Sequence, residues 1–302
     1  MGVDPRKIIN SPFGLTLARF VGKYTPYWLG DRIAYFAADR ISRRKDWVLV
    51  RAVRCNQWVV HRQNLEQAEL DRLVAENFRT IACSIFDLYH NIHNPTASIK
   101  IIEPDPVAIQ LVQRPEFSSR GLIVAGIHMS NFDMAFQVGG LAGIKAIALT
   151  LPELDAGYRV QLEMRQKNGL NVIQTSVGTL KHAVDHLKAG GMVITGLDRP
   201  DENYKYHPRF FGVPANIPIH HVFLALKAHV PIMVAGVIKK TDGKYHFLFS
   251  EPIEMQPHPD RQQEIILNAE NILHVAEDFV QRDPIQWSMT YPVWPQIMSG
   301  VP

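Results

Sequence analysis

Two hydrophobic patterns divide the chain. Over the first hundred residues, apolar positions recur at helical spacing. Between Trp28 and Ile41 they fall at Leu29, Ile33, Phe36, Ala37 and Ile41; from about Asn64 to His90 they fall at Leu70, Leu73, Val74, Phe78, Ile81, Ile85 and Leu88. Each stripe predicts an amphipathic helix. From Gly121 onward the character changes, and β-prone apolar runs appear at residues 121–127, 146–151, 171–174, 192–196, 231–238 and 245–249. Helical stretches at 133–141, 158–168, 178–188 and 218–228 separate several of them. A further helix is predicted over 261–281, ahead of a tail carrying Trp287, Pro292, Trp294 and Pro295. Strands alternating with helices of this length predict an α/β fold, a mixed and mainly parallel sheet flanked by helices. Residues 1–110 are assigned to an N-terminal helical cap facing a membrane, and residues 111–302 to an α/β catalytic region, the two expected to form one continuous domain.

Charge sharpens the reading of the cap. Lys and Arg number 32 against 29 Asp and Glu, a net +3, too slight a bias to argue for nucleic acid, and no basic patch interleaved with aromatics appears. Clustering matters more than the total. Arg32, Arg40, Arg43, Arg44 and Lys45 lie within or just after the first stripe, and an amphipathic helix with a basic end suits an anionic membrane surface. The same stripe equally suits packing on the main domain. No apolar run reaches the roughly 18 residues needed to span a bilayer, so membrane contact is expected to be peripheral. Met1 to Asn10 lacks an apolar signal core, and two cysteines make no disulfide framework, which fits the cytoplasmic face of a membrane.

In open α/β sheets, chemistry gathers at the carboxyl ends of strands. The first predicted strand runs into Gly126-Ile127-His128-Met129-Ser130-Asn131-Phe132-Asp133. Five positions apart on a continuous helix, His128 and Asp133 would diverge by roughly 140°. They can meet only if His128 lies in the turn and Asp133 in the first helical turn, with Ser130 as N-cap. A histidine so placed can take a proton from a hydroxyl, and a carboxylate on its other ring nitrogen would fix its tautomer. Ser130-x-x-Asp133 also reads as a plain capping box, with no chemistry implied. Among the 13 histidines, His182 and His186 share a predicted helix face and His220 and His221 are adjacent, but neither pair has a third ligand at zinc-type spacing, so no metal is expected. The chain has no dinucleotide fingerprint, no P-loop and no Gly-x-Ser-x-Gly.

His128-x-x-x-x-Asp133 after an apolar strand resembles the glycerolipid acyltransferase superfamily. Within it, residues from about Val53 to Trp287 resemble the bacterial lipid A biosynthesis (lauroyl/myristoyl) acyltransferases and the mycobacterial phosphatidylinositol mannoside acyltransferases. The resemblance rests on blocks in order: Arg165 with Asn168 to Ile173, Leu187 to Gly191, Gly196-Leu197-Asp198-Arg199, Phe210-Phe211-Gly212 with Pro214-Ala215, and Pro284-Ile285-Gln286-Trp287. It implies a transferase that moves a fatty acyl chain from acyl-CoA or acyl-carrier protein to a hydroxyl of a membrane lipid or glycolipid, with no cofactor. A lipid A precursor, a phosphatidylinositol mannoside and a lysophospholipid are all acceptable acceptors. His128 is the expected general base, Asp133 its orienter and Asp198 the acidic residue near the centre. Arg165, Arg199, Asn131 and Phe211 are the expected substrate contacts. The chain departs from the family at Pro200, where many members carry an acidic residue; this puts in doubt any role for Asp201. An acyl-thioester hydrolase and a catalytically silent lipid-binding protein are the alternatives.

Overall fold

The computed structural model describes residues 11–91, 95–103, 105, 119–141, 143–150, 156–167, 169–200 and 205–302. The division at residues 110 and 111, and Asp201, lie outside them. Helices α1 (Pro12–Tyr24), α2 (Tyr27–Ser42), α3 (Val48–Val60), α4 (Gln67–Asn91) and α5 (Pro95–Lys100) come first. Ser11 caps α1 by accepting from the Gly14 amide at 3.1 Å. The buried face of α2 is not the apolar stripe of the sequence but Gly30, Ala34 and Ala38. These small residues, four apart, let α2 lie close on α4; a Cβ added at Gly30 would stand 2.0 Å from the Phe86 ring. The larger side chains then point away, with Trp28, Ile33 and Phe36 exposed.

The α/β region follows, as β1 (Ile102–Glu103), β2 (Leu122–Gly126), α6 (Phe132–Leu141), β3 (Ala146–Thr150), α7 (Ala156–Lys167), β4 (Asn171–Gln174), α8 (Val177–Lys188) and β5 (Met192–Gly196). A two-stranded hairpin, β6 (Arg209–Phe210) and β7 (Val213–Pro214), precedes α9 (His220–Ala228), β8 (Ile232–Lys239), β9 (Tyr245–Phe249) and α10 (Arg261–Arg282). The described residues build a seven-stranded sheet of order β1-β9-β8-β2-β5-β3-β4. Its pairs are parallel except β8 with β9. Central β2 is buried along nearly its whole length, as an apolar run covered on both faces must be. The helices start where local chemistry dictates: Ser176 and Thr179 form a capping box on α8, and Asp260 accepts from the Gln263 amide on α10.

The main core joins the sheet to α8, α9 and α10, and it also takes Cys55, Val59 and Val60 from α3. The tail after α10 returns through this core. Trp287 and Trp294 are almost fully buried, each contributing roughly 1.5–3 kcal/mol or more on the scale of large apolar side chains. Buried amides of the cap hold the tail's backbone. Asn56 donates to the Met289 and Tyr291 carbonyls, Gln57 to Pro284, and Asn77 to Ile285 and Trp287. The tail is thereby fixed beneath the carboxyl ends of β2 and β5.

Candidate active site

Strands β2 and β5 are parallel neighbours with Gly126 and Gly196 in register. His128 and Asp198 each stand two residues past that pair, so the topology alone brings their side chains together. His128 Nδ1 lies 2.5 Å from Asp198 Oδ1. The His128 amide also donates to Asp198, at 3.0 Å to Oδ2, and Trp287 Nε1 donates to the same oxygen at 2.7 Å. Asp198 is completely buried. With two other N–H groups directed at it, the carboxylate acts as acceptor, so Nδ1 donates and carries the ring hydrogen. That leaves Nε2 as the basic nitrogen. The imidazole side chain is 20% exposed, and the Phe132 ring stands against it at 4.5 Å between centroids.

The turn between β2 and α6 differs from its sequence reading by one residue. Ser130 was expected to cap the helix; the cap is Asn131, whose Oδ1 accepts from the Met134 amide at 3.3 Å. The reason is the tail. Gln286 accepts the Ser130 amide at 2.7 Å, the Ser288 amide donates to the His128 carbonyl, and Met129 bridges Trp287. So tethered, Ser130 adopts a φ of 47°, the sparsely populated left-handed region that non-glycine residues accept only where the surroundings impose it. Its Oγ is buried with no hydrogen-bond partner among the described residues.

The expected pairing of Asp133 with His128 is not the contact seen at Nδ1. Asp133 occupies the first turn of α6 but forms an ion pair with Arg165 of α7, while the ring nitrogen goes to Asp198. Arg165 packs over the Phe136 ring at 4.8 Å and is nearly buried, and its Nε has no partner among the described residues. The carboxylate at His128 Nδ1 comes from a different strand, 70 residues away. Of the other expected contacts, Asn131 is buried and committed to the cap and to the Ser84 carbonyl at 3.0 Å. Arg199, next to Asp198, donates to Tyr291 Oη at 2.9 Å and lies over that ring. Phe211 packs on Phe210 and edge-on against Trp294, in the aromatic cluster that includes Trp287.

A second polar cluster supports the turn from behind, and no local motif announces it. Asp87 of α4 is buried and accepts from Lys239 Nζ at 2.7 Å and from Tyr245 Oη. Asn131 and Ser84 are further partners of that hydroxyl. Burial works against the Lys239 ammonium, but Asp87 outweighs it and holds its pKa above the ordinary lysine value. Burial and then Asp87 push the Tyr245 phenol well above its usual range. Gln286 closes the circuit, accepting the Lys239 amide at 2.7 Å and donating to its carbonyl at 2.8 Å.

The histidine pairs show no ligand geometry. His186 packs against Gly191, and His220 Nε2 meets Thr195 Oγ1 at 2.5 Å. His221 is fully buried with both ring nitrogens unpartnered among the described residues. Among those residues no three His, Cys, Asp or Glu side chains cluster as a metal ion would need.

A histidine with its Nδ1 locked and its Nε2 open can move a proton to and from a hydroxyl. The sequence matches the family model described as bacterial lipid A biosynthesis acyltransferase over residues 13–296. No curated protein matches it closely enough to serve as a relative.

Proposed function

The chain belongs to the family of bacterial lipid A biosynthesis acyltransferases and is therefore an acyltransferase with a lipid acceptor and an acyl donor; from that premise we propose that His128 is its general base, oriented by Asp198. The donor in this reading is a fatty acyl thioester, of coenzyme A or of acyl-carrier protein, and the acceptor group is a hydroxyl of a membrane lipid or glycolipid. The acceptor hydroxyl hydrogen-bonds to Nε2 and loses its proton there as its oxygen attacks the thioester carbonyl. The Asp198 carboxylate beside Nδ1–H stabilises the imidazolium that forms. Collapse of the tetrahedral intermediate breaks the carbon–sulfur bond, and the proton returns from Nε2 to the leaving thiolate. Arg165, paired with Asp133 on the same side of the turn, supplies positive charge for a phosphate of either substrate or for the developing oxyanion. The observation that carries this reading is the contact of His128 Nδ1 with the buried Asp198 carboxylate.

In the same reading, the outer face of α1 and α2 rests on the cytoplasmic surface of the membrane. Phe13, Phe20, Tyr24, Trp28 and Phe36 are each more than 60% exposed there, and Arg32 and Arg40 lie over the Trp28 and Phe36 rings. Aromatics with snorkelling cations suit an interface. No described helix is long and apolar enough to cross a bilayer, which agrees with peripheral attachment.

The test is acyl transfer by the purified protein, from labelled palmitoyl-CoA to a bacterial lipid extract, beside His128→Ala. Loss of a general base lowers turnover by a factor on the order of 10² to 10⁴. A labelled lipid that fades to that degree in the variant supports the proposal, and its mass identifies the acceptor. Labelled free fatty acid alone, still dependent on His128, replaces transfer by hydrolysis. Equal products from both proteins remove His128 from the mechanism.

A further inference from the structure

Away from the catalytic turn, the cap holds a cationic cleft that acyl transfer leaves unexplained. The end of α2, the link to α3, α3 itself and the first half of α4 converge on two adjoining hollows of about 230 Å³ each, sharing Lys45 and Arg54. Arg43, Arg79 and Arg51 also line them, against the two carboxylates Asp39 and Asp71. Five cationic side chains face two carboxylate side chains, and Pro302 also lines the second hollow.

The carboxylates are already committed. Asp39 takes both of its contacts from Arg79, at 2.7 and 3.1 Å. Asp71 is shared by Lys45 at 2.6 Å and by Arg54. Burial pushes the Asp71 carboxyl up, but Lys45 and Arg54 outweigh it and hold its pKa below the usual range. Arg43 and Arg51 are exposed and have no carboxylate partner among the described residues. Arg54 is the most informative member. It is about nine-tenths buried, with Nε donating to the Pro302 carbonyl at 2.5 Å and Nη1 to Asp71. Its Nη2 is shielded from solvent and has no acceptor among the described residues. A buried guanidinium donor left without an acceptor is destabilising. An internal ion-pair knot accounts for Arg54 Nη1 and Lys45, but not for the empty Nη2 or for Arg51, and Arg43 feels Asp39 only beyond ion-pair distance, while that carboxylate is held by Arg79.

We propose that this cleft binds a phosphate monoester. A dianionic phosphate supplies the missing acceptor for Arg54, offsets most of the excess charge, and matches the fork geometry of guanidinium groups. The site stands at the basic end of α2, whose aromatic face is exposed, so the monoester is either the headgroup of an anionic lipid or a soluble phosphate ester. The inference does not depend on the acyl-transfer reading: it concerns other residues and is tested by binding alone, with the His128→Ala protein expected to bind as the parent does.

Binding of the full chain is measured to phosphatidylcholine vesicles with and without phosphatidic acid, and to glycerol 3-phosphate in solution. Three proteins are compared: the parent, Arg43→Gln/Arg51→Gln, and a charge-matched control on α8, Lys181→Gln/Lys188→Gln. All four positions are exposed, so folding is preserved; Arg54→Lys then tests the fork with its charge retained. Loss of two charge-assisted contacts predicts a fall of about tenfold or more in affinity for phosphatidic acid vesicles in the first variant, with a markedly smaller fall in the control and competition by glycerol 3-phosphate. That result identifies a lipid headgroup. Saturable binding of glycerol 3-phosphate that depends on Arg43 and Arg51, without vesicle preference, identifies a soluble ester. Equal losses in the two variants, or no saturable phosphate binding of either kind, overturn the site.

Discussion

Asp198 and Phe36 stand at opposite extremes, one completely buried and the other 63% exposed, and the regions around them differ in the same way. Around Asp198 a charged group is withdrawn from water, and three donors from two separate segments meet it: the His128 ring, the His128 amide and the Trp287 indole. Burying a carboxylate without such partners costs several kcal/mol. On α1 and α2 the reverse holds, since large apolar rings are left open and the helix side facing the protein is made of Gly30, Ala34 and Ala38. Monomeric surfaces seldom keep a contiguous apolar patch of this kind unless something covers it. Polar order is concentrated at the proposed base, and apolar area is left uncovered on the face proposed to meet a lipid phase.

Each half of that comparison can be broken separately. The largest effect is expected from Asp198→Asn, which keeps the shape of the site but disturbs the His128 tautomer. Turnover should fall by a factor on the order of 10³ to 10⁴, with the fold retained by circular dichroism; near-normal turnover would remove Asp198 as the orienting group. Breaking the other region, Phe20→Ser together with Phe36→Ser should weaken vesicle partitioning by a factor on the order of 10² to 10⁴, given roughly 1.5–3 kcal/mol for each fully buried ring. Transfer to a detergent-dispersed acceptor should be little changed. Partitioning that ignores both rings would leave the exposed face without a membrane role.

Smaller effects probe the support behind the turn. Lys239→Met leaves the Asp87 carboxylate with Tyr245 and without its cation. The side chain of Lys239 is 36% exposed, so solvent screening reduces the loss below that of a fully buried pair. A destabilisation of about 1–3 kcal/mol in denaturant melts is expected. The smallest effect is a slope. Burial, and then His220, holds the His221 pKa well below the ordinary histidine value. The unfolded chain therefore binds a proton that the folded chain refuses. Stability is complete above the unfolded value of about 6.5 and declines as pH falls below it, by at most about 1.4 kcal/mol per pH unit. His221→Leu should flatten that acid limb, and an unchanged limb would assign the acid sensitivity to other groups.

Much of the architecture was legible because parallel strands covered by helices must be apolar runs between helical stripes. The expected strands at 171–174, 192–196 and 245–249 coincide with β4, β5 and β9. Helix α3 was not singled out, because Arg54, Asn56 and Gln57 are buried within it and interrupt the apolar period. The stripe on α2 predicts an amphipathic helix, but period alone cannot say which face turns inward, and the small residues Gly30, Ala34 and Ala38 decide it. At the site, His128 and Asp198 were both visible at strand ends. Their pairing was not, since it depends on β2 and β5 being neighbours in register. Sequence proximity favoured Asp133, which instead pairs with Arg165. Asp87, Lys239 and Tyr245 meet from segments more than 150 residues apart, a distance over which no local pattern carries information. Trp287 lay within a recognised block, but nothing in that block indicated that its indole would reach Asp198.

The most direct test of the central claim is a double-mutant cycle on single-turnover acyl transfer, with His128→Ala, Asp198→Asn and the two combined. If Asp198 acts through the imidazole, its substitution costs nothing further once His128 is gone, and the double variant matches His128→Ala within about twofold. Costs that multiply in the double variant would contradict the pairing and assign Asp198 a role independent of the base.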